Sequence, residues 1–500
     1  MHPIIRTVSL NLDKPSPSDK RADKERLLDG LRGIGIDRPV EIDLKLLRRL
    51  PSYLRDHDFS ITMTLGMTGD KGDTCKVIDI GKSLSYAVAV DIGTTNMVAS
   101  IFDVIKKERI GSAEMENPQI LTGPDVLTRV HLAMSGKGDY LHLLLIDGIN
   151  ELIRRICAEH GVATEDIGAV IFAGNTIMTH FLLNLSVDSI SVEPYIPVAH
   201  KPAFISAGSI GVRIHEQGIA YVFPNAGSYV GGDIISGILF SGGYKQKEPF
   251  IIVDAGTNAE IVLGCEEWIM VGAGAAGPAL ESGIAEVGMR AEEGAISHIE
   301  MHNGDDTVTI KTIGDKKPKG ICGSGMIDLI SELYAAGIIN QQGKLSGSSR
   351  NIRETNGARE YVLYESLDTV LVIKETDIEN FLRSKAAMFS SLRVMVKAVG
   401  LCFRDIARFY VSGALGTGID TDKAIRIGFI PDIDRSRFIA LGNSSLAGAE
   451  MLLLDSSLIK DIDAICAMVT YREMNTDGEF MREFPAAMFI PHTNPEVLKC

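Results

Sequence analysis

Ala87-Val88-Ala89-Val90-Asp91-Ile92-Gly93-Thr94-Thr95-Asn96 runs from an apolar strand through a glycine turn and into a second apolar strand, Val98–Phe102. The arrangement returns at Phe250-Ile251-Ile252-Val253-Asp254-Ala255-Gly256-Thr257-Asn258, followed by the apolar Ala259–Leu263. Each reads as a β-hairpin in which Asp ends the first strand, one residue precedes a Gly-Thr pair, and polar residues lead into the second strand. Two such hairpins in one chain mark an internal duplication at the level of a whole lobe. From Tyr86 onward short apolar strands, glycine turns and helices alternate, as in α/β domains.

The repeated hairpin has a chemistry. An Asp at a strand end followed by Gly-Thr offers a carboxylate to a magnesium shell, then backbone N–H groups and a hydroxyl to phosphate. Glycine lets the turn approach the anion closely. Magnesium takes few carboxylates and keeps several waters, so one Asp per lobe suffices. A single Asp-x-Gly-Thr is a common structural turn, but two copies flanked by strands imply phosphates clamped between two lobes. Asp91 and Asp254 are then expected to hold magnesium through water. Gly93, Thr94, Thr95, Asn96, Gly256, Thr257 and Asn258 are expected at the phosphates.

Composition narrows the classes. Of 500 residues, 45% are hydrophobic and 23% charged, which excludes disordered, collagen-like and coiled-coil chains. The 50 glycines are an excess that fits many tight turns. A net charge of −15 without a basic stripe excludes nucleic acid as a partner. No stretch reaches the roughly 20 apolar residues of a membrane span, and Met1–Leu10 lacks a signal peptide's apolar core, so a cytoplasmic protein is expected. The seven cysteines show no C-x-x-C or ferredoxin-type spacing and read as small buried hydrophobes.

Residues 1–82 differ in texture. Val8–Leu12 reads as a strand, Ser18–Arg32 and Glu41–Arg55 as helices, and Phe59–Leu65 as an alternating strand paired with Cys75–Ile80. The expected organisation is a small α+β unit over 1–82, a first lobe over 85–245 and a second over 246–500.

Beyond the hairpins, Val411-Ser412-Gly413-Ala414-Leu415-Gly416-Thr417-Gly418 is a strand running into a glycine turn where a nucleoside can lie against bare backbone. Gly231-Gly232-Asp233 opens a helix, and Ala447-Gly448-Ala449 lies within another. Together with the hairpins these resemble the ATPase superfamily of acetate and sugar kinases, seventy-kilodalton heat-shock chaperones and actin. The resemblance implies an α/β fold of two ribonuclease-H-like lobes, joined by two helices packed through small residues and preceded by the small α+β domain. It implies that ATP and Mg²⁺ bind, with Gly413, Ala414 and Gly416 at the nucleoside. It also makes Asp233 the base that orients a water on the terminal phosphate; helix capping is the bland alternative.

A narrower resemblance covers nearly the whole chain. Asn117-Pro118-Gln119 with Asp125-Val126, Phe172-Ala173-Gly174-Asn175-Thr176-Ile177-Met178, Gly274-Ala275-Ala276-Gly277-Pro278-Ala279, Gly320-Ile321-Cys322-Gly323-Ser324-Gly325 and Thr470-Tyr471 through Pro491-His492-Thr493 are similar to the ATP-dependent reductive activators of corrinoid proteins. That family commonly carries an N-terminal two-iron two-sulfur domain that delivers the electron. This chain starts where that domain would have ended, so no iron–sulfur cluster is expected on it. The electron is expected from an external ferredoxin-like donor. The resemblance also implies a corrinoid protein as partner, and a homodimer.

Smaller candidates complete the reading. Gly323, Ser324 and Gly325 precede an apolar helix over Met326–Ala336 and are expected at the nucleotide, against Ser324 as a helix cap. Gly272–Gly283 is expected to wall the cleft. Asn175 and Thr176 are expected at its mouth, His180 as a satisfied helix histidine and Trp268 in the core. The function read here is ATP-driven reduction of cobalt(II) to cobalt(I) on a corrinoid protein. A small-molecule kinase is the alternative, while a chaperone would need a peptide-binding domain after the ATPase core.

Overall fold

The N-terminal unit owes its form to two amphipathic helices laid on one sheet. β1 (Ile5–Asn11), α1 (Asp23–Gly33), β2 (Val40–Glu41), α2 (Leu44–Asp56), β3 (Ser60–Thr68) and β4 (Thr74–Ile80) follow in turn, in strand order β1-β3-β4-β2. β3 and β4 pair antiparallel, as the alternation predicts. Leu46, Leu50 and Leu54 form the buried face of α2 and pack with Leu27, Leu31, Met63 and Val77. α1 starts later than Ser18 because Ser16 and Asp19 close a turn with reciprocal backbone bonds. α2 starts at Leu44 because Asp43 caps it, accepting from the Lys45 N–H. The computed structural model describes residues 2–123, 125–228, 230–255, 259–274, 285–301, 307–355, 357–413, 418–474 and 477–500.

β5 (Tyr86–Ile92), β6 (Asn96–Asp103), β7 (Glu108–Glu116), α3 (Val126–Leu132), α4 (Gly138–His160), β8 (Ile167–Gly174), α5 (Thr176–Leu182), β9 (Ala203–Ser206), β10 (Ile219–Val222) and α6 (Gly232–Ser241) build the first lobe. Its sheet runs β7-β6-β5-β8-β10-β9. β5, β6 and β7 form an antiparallel meander, whereas β8 and β10 join β5 in parallel. Every residue of β8 and β10 is buried, which is why both read as unbroken apolar runs.

The second lobe repeats this plan. β11 (Phe250–Ala255), β12 (Ala259–Gly264) and β13 (Ile269–Gly274) form the meander. After it come β14 (Ala295–Met301), β15 (Val308–Thr312), β16 (Gly320–Ile321), α7 (Gly323–Ala335), β17 (Ile352–Thr355), β18 (Ala358–Glu365), β19 (Val370–Lys374) and α8 (Glu375–Ala398). β20 (Arg408–Ser412), α9 (Thr421–Arg426) and β21 (Phe438–Gly442) then bring the chain back to the sheet. α10 (Ser444–Leu454), α11 (Ile459–Met468), β22 (Val469–Glu473) and α12 (Gly478–Ala487) end it. The sheet order is β21-β20-β11-β12-β13-β22, with β20 parallel to both β11 and β21. Outward from the first strand, each lobe therefore has the same meander on one side and the same two parallel strands on the other. This is the ribonuclease-H-like plan, twice.

Two compact units result: Met1–Phe240 with Ser445–Ala467, and Ser241–Ser444 with Met468–Cys500. α10 thus packs with α6 inside the first unit. A Cβ on Gly448 would stand 2.1 Å from the Ser236 carbonyl oxygen, so the two helices touch through small residues as expected.

Other expectations shift. Cys402 and Cys500 are joined by a disulfide, so these two are not buried free thiols, whereas Cys75, Cys157, Cys265 and Cys322 are. Trp268 is half-buried, packed against the edge of the second lobe's core. Among the described residues, no helix is long and apolar enough to cross a membrane.

Candidate functional site

In the first unit the Asp91 turn is constrained from all sides. β5 delivers Asp91 opposite Val98, and the carboxylate is half-buried. Its Oδ1 accepts from the Ser445 hydroxyl at 2.7 Å. Ser445 lies in the first turn of α10, and its carbonyl accepts from the Ser236 hydroxyl of α6 at 2.6 Å. One strand end, the start of α10 and the middle of α6 are thereby tied together. A Cβ on Gly93 would lie 2.4 Å from the Asn96 carbonyl, so the turn closes only around glycine. Thr94 Oγ1 accepts from Asn175 Nδ2 at 3.0 Å, and the Thr95 carbonyl accepts from the Asn117 N–H at 2.7 Å. Asn96 opens β6.

Asp233 joins this group. It is the second residue of α6 rather than its cap, and its Oδ1 accepts from the Ile234 N–H at 2.8 Å. Gly231 brings it close to the turn, because a Cβ there would fall 2.3 Å from Asn175 Cα and 2.7 Å from Asp233 Oδ1. Asn175, which touches Thr94, therefore lies beside the start of Asp233's helix. Thr176, expected at an open mouth, is buried instead and donates to the Gly227 carbonyl at 2.8 Å. His180 is the satisfied histidine expected of it. Its Nδ1 lies 2.7 Å from the Thr176 carbonyl, Nε2 accepts from the Val198 N–H, and burial holds the imidazole below its ordinary pKa.

In the second unit Asp254, next to last in β11, is in register with Ser412 of β20, and it too is half-buried. Gly413 takes φ +77°, a left-handed conformation suited to glycine, and its N–H donates to the Gly442 carbonyl at 3.0 Å. Gly418, at the far end of that loop, has room for a Cβ, with Ser324 Oγ 3.6 Å from it. Gly418 and the start of α7, distant in sequence, thus meet. α7 begins at Gly323, earlier than expected, with Cys322 at its cap position. Ser324 is no cap: it sits within the first turn and donates to the Ser297 carbonyl at 3.1 Å. Gly325 is committed to packing, since a Cβ there would strike the Ile296 carbonyl at 2.2 Å. A cavity of about 200 Å³ opens beside Gly418, lined by Val253, Val411, Ile419, Phe429 and Phe438.

Gly256, Thr257, Asn258, Ala414 and Gly416 lie outside the described residues, as does most of the Gly272–Gly283 stretch. Gly272 itself packs in the core, where a Cβ would meet Met474 Cε at 2.6 Å.

Each unit carries donors of the kind that suit an anion or a hard cation. Within the first unit Asp91, a hard oxygen donor of the kind magnesium takes, stands beside the bare backbone of Gly93; within the second, Asp254 is the same kind of donor and Gly413 and Gly418 offer bare backbone. Sequence reasoning missed Ser445, Asn117 and Asn175 as holders of the turn. A side-chain cap bond to a distant loop has no spacing signature, although Ser445 precedes the small-residue segment that was recognised.

Three family models cover the chain. Residues 1–85 match the RACo linker region, 86–246 the RACo middle region, and 248–499 the C-terminal domain of RACo, the ASKHA domain. The corrinoid activation enzyme RamQ of Eubacterium limosum is 28% identical over 415 residues, 80% of this chain and 69% of the relative. The [Co(II) methylated amine-specific corrinoid protein] reductase of Methanosarcina barkeri is 25% identical over 77% of this chain and 73% of its own. Among solved structures, a reductive activator for corrinoid, iron–sulfur protein superposes with a TM-score of 0.90 and 35% identity, covering 99% of this chain and 80% of that one. With its linker, middle and ASKHA regions in order, this chain belongs to the RACo family.

Proposed function

We propose that this chain is an ATP-dependent reductive activator, which couples ATP binding and hydrolysis to reduction of cobalt(II) to cobalt(I) on a partner corrinoid protein. The observation that carries this is the likeness of 99% of the chain, at 35% identity, to a reductive activator for a corrinoid, iron–sulfur protein. The electron comes from a separate ferredoxin-like protein. The activator works in the cytoplasm as a homodimer.

Bound magnesium–ATP supplies phosphate charge and free energy of hydrolysis. Asp91 and Asp254 hold the metal through water, and Asp233 orients a water at the terminal phosphate. Gly93, Thr94, Thr95 and Asn96, with Gly256, Thr257 and Asn258, present backbone and hydroxyl donors to the phosphates. Gly413, Ala414 and Gly416 take the nucleoside, and Gly323, Ser324 and Gly325 also contact the nucleotide. Reducing a low-potential acceptor requires free energy, and a nucleotide delivers it only by binding two conformations differently.

The test is an anaerobic assay with a corrinoid protein, a ferredoxin or chemical reductant, and ATP. Cobalt(I) should form faster and further with the chain present, and the corrinoid protein should accelerate ATP hydrolysis. Equal rate and extent with and without the chain would overturn the assignment.

A further inference from the structure

Two asparagines from motifs that the function has not used grip the Asp91 turn. Asn117, fully buried, caps the 3₁₀ turn Pro118–Leu121 with Oδ1, which accepts from the Gln119 N–H at 3.0 Å. That leaves Nδ2 to donate to the Gly93 carbonyl at 2.9 Å, while the Asn117 backbone N–H donates to the Thr95 carbonyl. One residue therefore fixes both ends of the turn. Behind it, Gln119 Oε1 accepts from buried Arg129 at 3.2 Å, Gln119 Nε2 donates to the Leu141 carbonyl, and Arg129 Nε donates to the Gly123 carbonyl. The support is buried and held in place by directional bonds.

Asn175 acts on the hydroxyl inside the turn. It caps α5 with Oδ1, which accepts from the Met178 N–H at 2.9 Å. A backbone N–H can only donate, so it fixes which way the amide faces, and Nδ2 must point the other way. That nitrogen donates to Thr94 Oγ1. A hydroxyl carries one proton; with an N–H aimed at the oxygen, that proton is directed to another acceptor. Thr94 is 7% exposed, so the orientation is set by protein rather than by bulk water.

We propose that Asn117 and Asn175 are positioning residues for phosphate binding: Asn117 fixes the backbone of the Gly93–Thr95 turn, and Asn175 turns the Thr94 hydroxyl into a donor toward a nucleotide phosphate oxygen. This rests on the reading of the Asp91 turn as a phosphate site. It adds to that reading a hydrogen-bond polarity that runs from the first turn of α5 through Asn175 and Thr94 to the anion.

The experiment is calorimetric binding of magnesium with a non-hydrolysable ATP analogue to the full chain. Asn175→Ser keeps a competent helix cap but cannot reach Thr94. It should bind about tenfold more weakly, the scale of one hydrogen bond to a charged group. Thr94→Val should lose a similar amount, and the double variant should bind no more weakly than Thr94→Val alone. Asn175→Asp, also a good cap, should bind more weakly still, because its carboxylate takes the Thr94 proton. Should Asn175→Ser fail to fold, Asn175→Asp carries the same cycle. Asn117→Ser should also weaken binding, and its loss should persist in the Thr94→Val background, since it acts through the backbone. Wild-type affinity in both Asn175 variants, or full additivity of Asn175→Ser with Thr94→Val, overturns the assignment. A wild-type chain that binds no analogue would overturn the phosphate reading itself, and this proposal with it.

Discussion

Ser445 donates its hydroxyl to Asp91 at 2.7 Å across 354 positions of sequence, and its carbonyl accepts from Ser236 of α6. The carboxylate proposed to order the metal shell is therefore aimed by a helix that returns to the first unit late in the chain. Removing the carboxylate should abolish turnover, whereas removing only its support should weaken it. Asp91→Ala should show no measurable ATP hydrolysis with an unchanged melting temperature. Ser445→Ala should retain activity reduced about tenfold, the scale of one bond to a charged group. Steady-state ATPase assays on both variants check this.

Gly93→Ala should be harsher than its size suggests. The new methyl would sit 2.4 Å from the Asn96 carbonyl, a backbone atom that cannot swing aside. The turn must open and the donors around it lose their aim. Nucleotide affinity should fall by about a hundredfold or more, as for loss of oriented donors at an anion, while circular dichroism stays that of the wild type.

Gly448→Ala tests the contact of α6 with α10. Its methyl would lie 2.1 Å from the Ser236 carbonyl and 2.4 Å from the Ser236 hydroxyl. Overpacking of this kind costs about 1–3 kcal/mol, and here it also pushes Ser445 from Asp91. The urea midpoint and the ATPase rate should fall together. A fall in stability alone would show that the helix contact does not aim the carboxylate.

Lys385 anchors the C-terminal segment. It is fully buried in α8, and its Nζ donates to the carbonyls of Ala487, Phe489 and Pro491 at 2.6, 2.7 and 2.6 Å. Lys385→Met removes all three donors and leaves three carbonyls to satisfy. A loss of about 3–5 kcal/mol in unfolding free energy is expected by denaturant titration.

Stability at acid pH should depend on Glu483. Burial acts to raise its carboxyl pKa, but His492, 3.0 Å away, and Arg393 outweigh burial and hold it at about 2. A depressed carboxyl pKa stabilises the fold above the unfolded value of roughly 4.3, and that contribution is lost as pH falls from there toward 2. The melting-temperature gap between wild type and Glu483→Gln should be full at pH 6 and shrink below about pH 4.5. A gap that stays constant to about pH 3 would show that the carboxylate's charge does not matter.

The duplicated hairpins carried the fold in the sequence, because an apolar strand, Asp, a glycine turn and a second strand form a local pattern that needs no partner to be seen. The same holds for Gly231-Gly232-Asp233 at a helix start and for the apolar runs of β8 and β11, whose neighbours bury both faces. The start of α7 is not legible in the sequence because Cys322 is no signal for a cap, nor is the Cys402–Cys500 link, whose ends lie 98 residues apart. What only the tertiary structure decided is which polar side chains finish the turn. Asn117, Asn175 and Ser445 reach it from a 3₁₀ turn, a helix cap and a late helix, each through a directional side-chain bond of about 3 Å. Such bonds depend on where folded elements come to rest, not on neighbours along the chain. Sequence periodicity records which face is apolar, and that determines the sheets; it holds no record of which distant amide meets a hydroxyl.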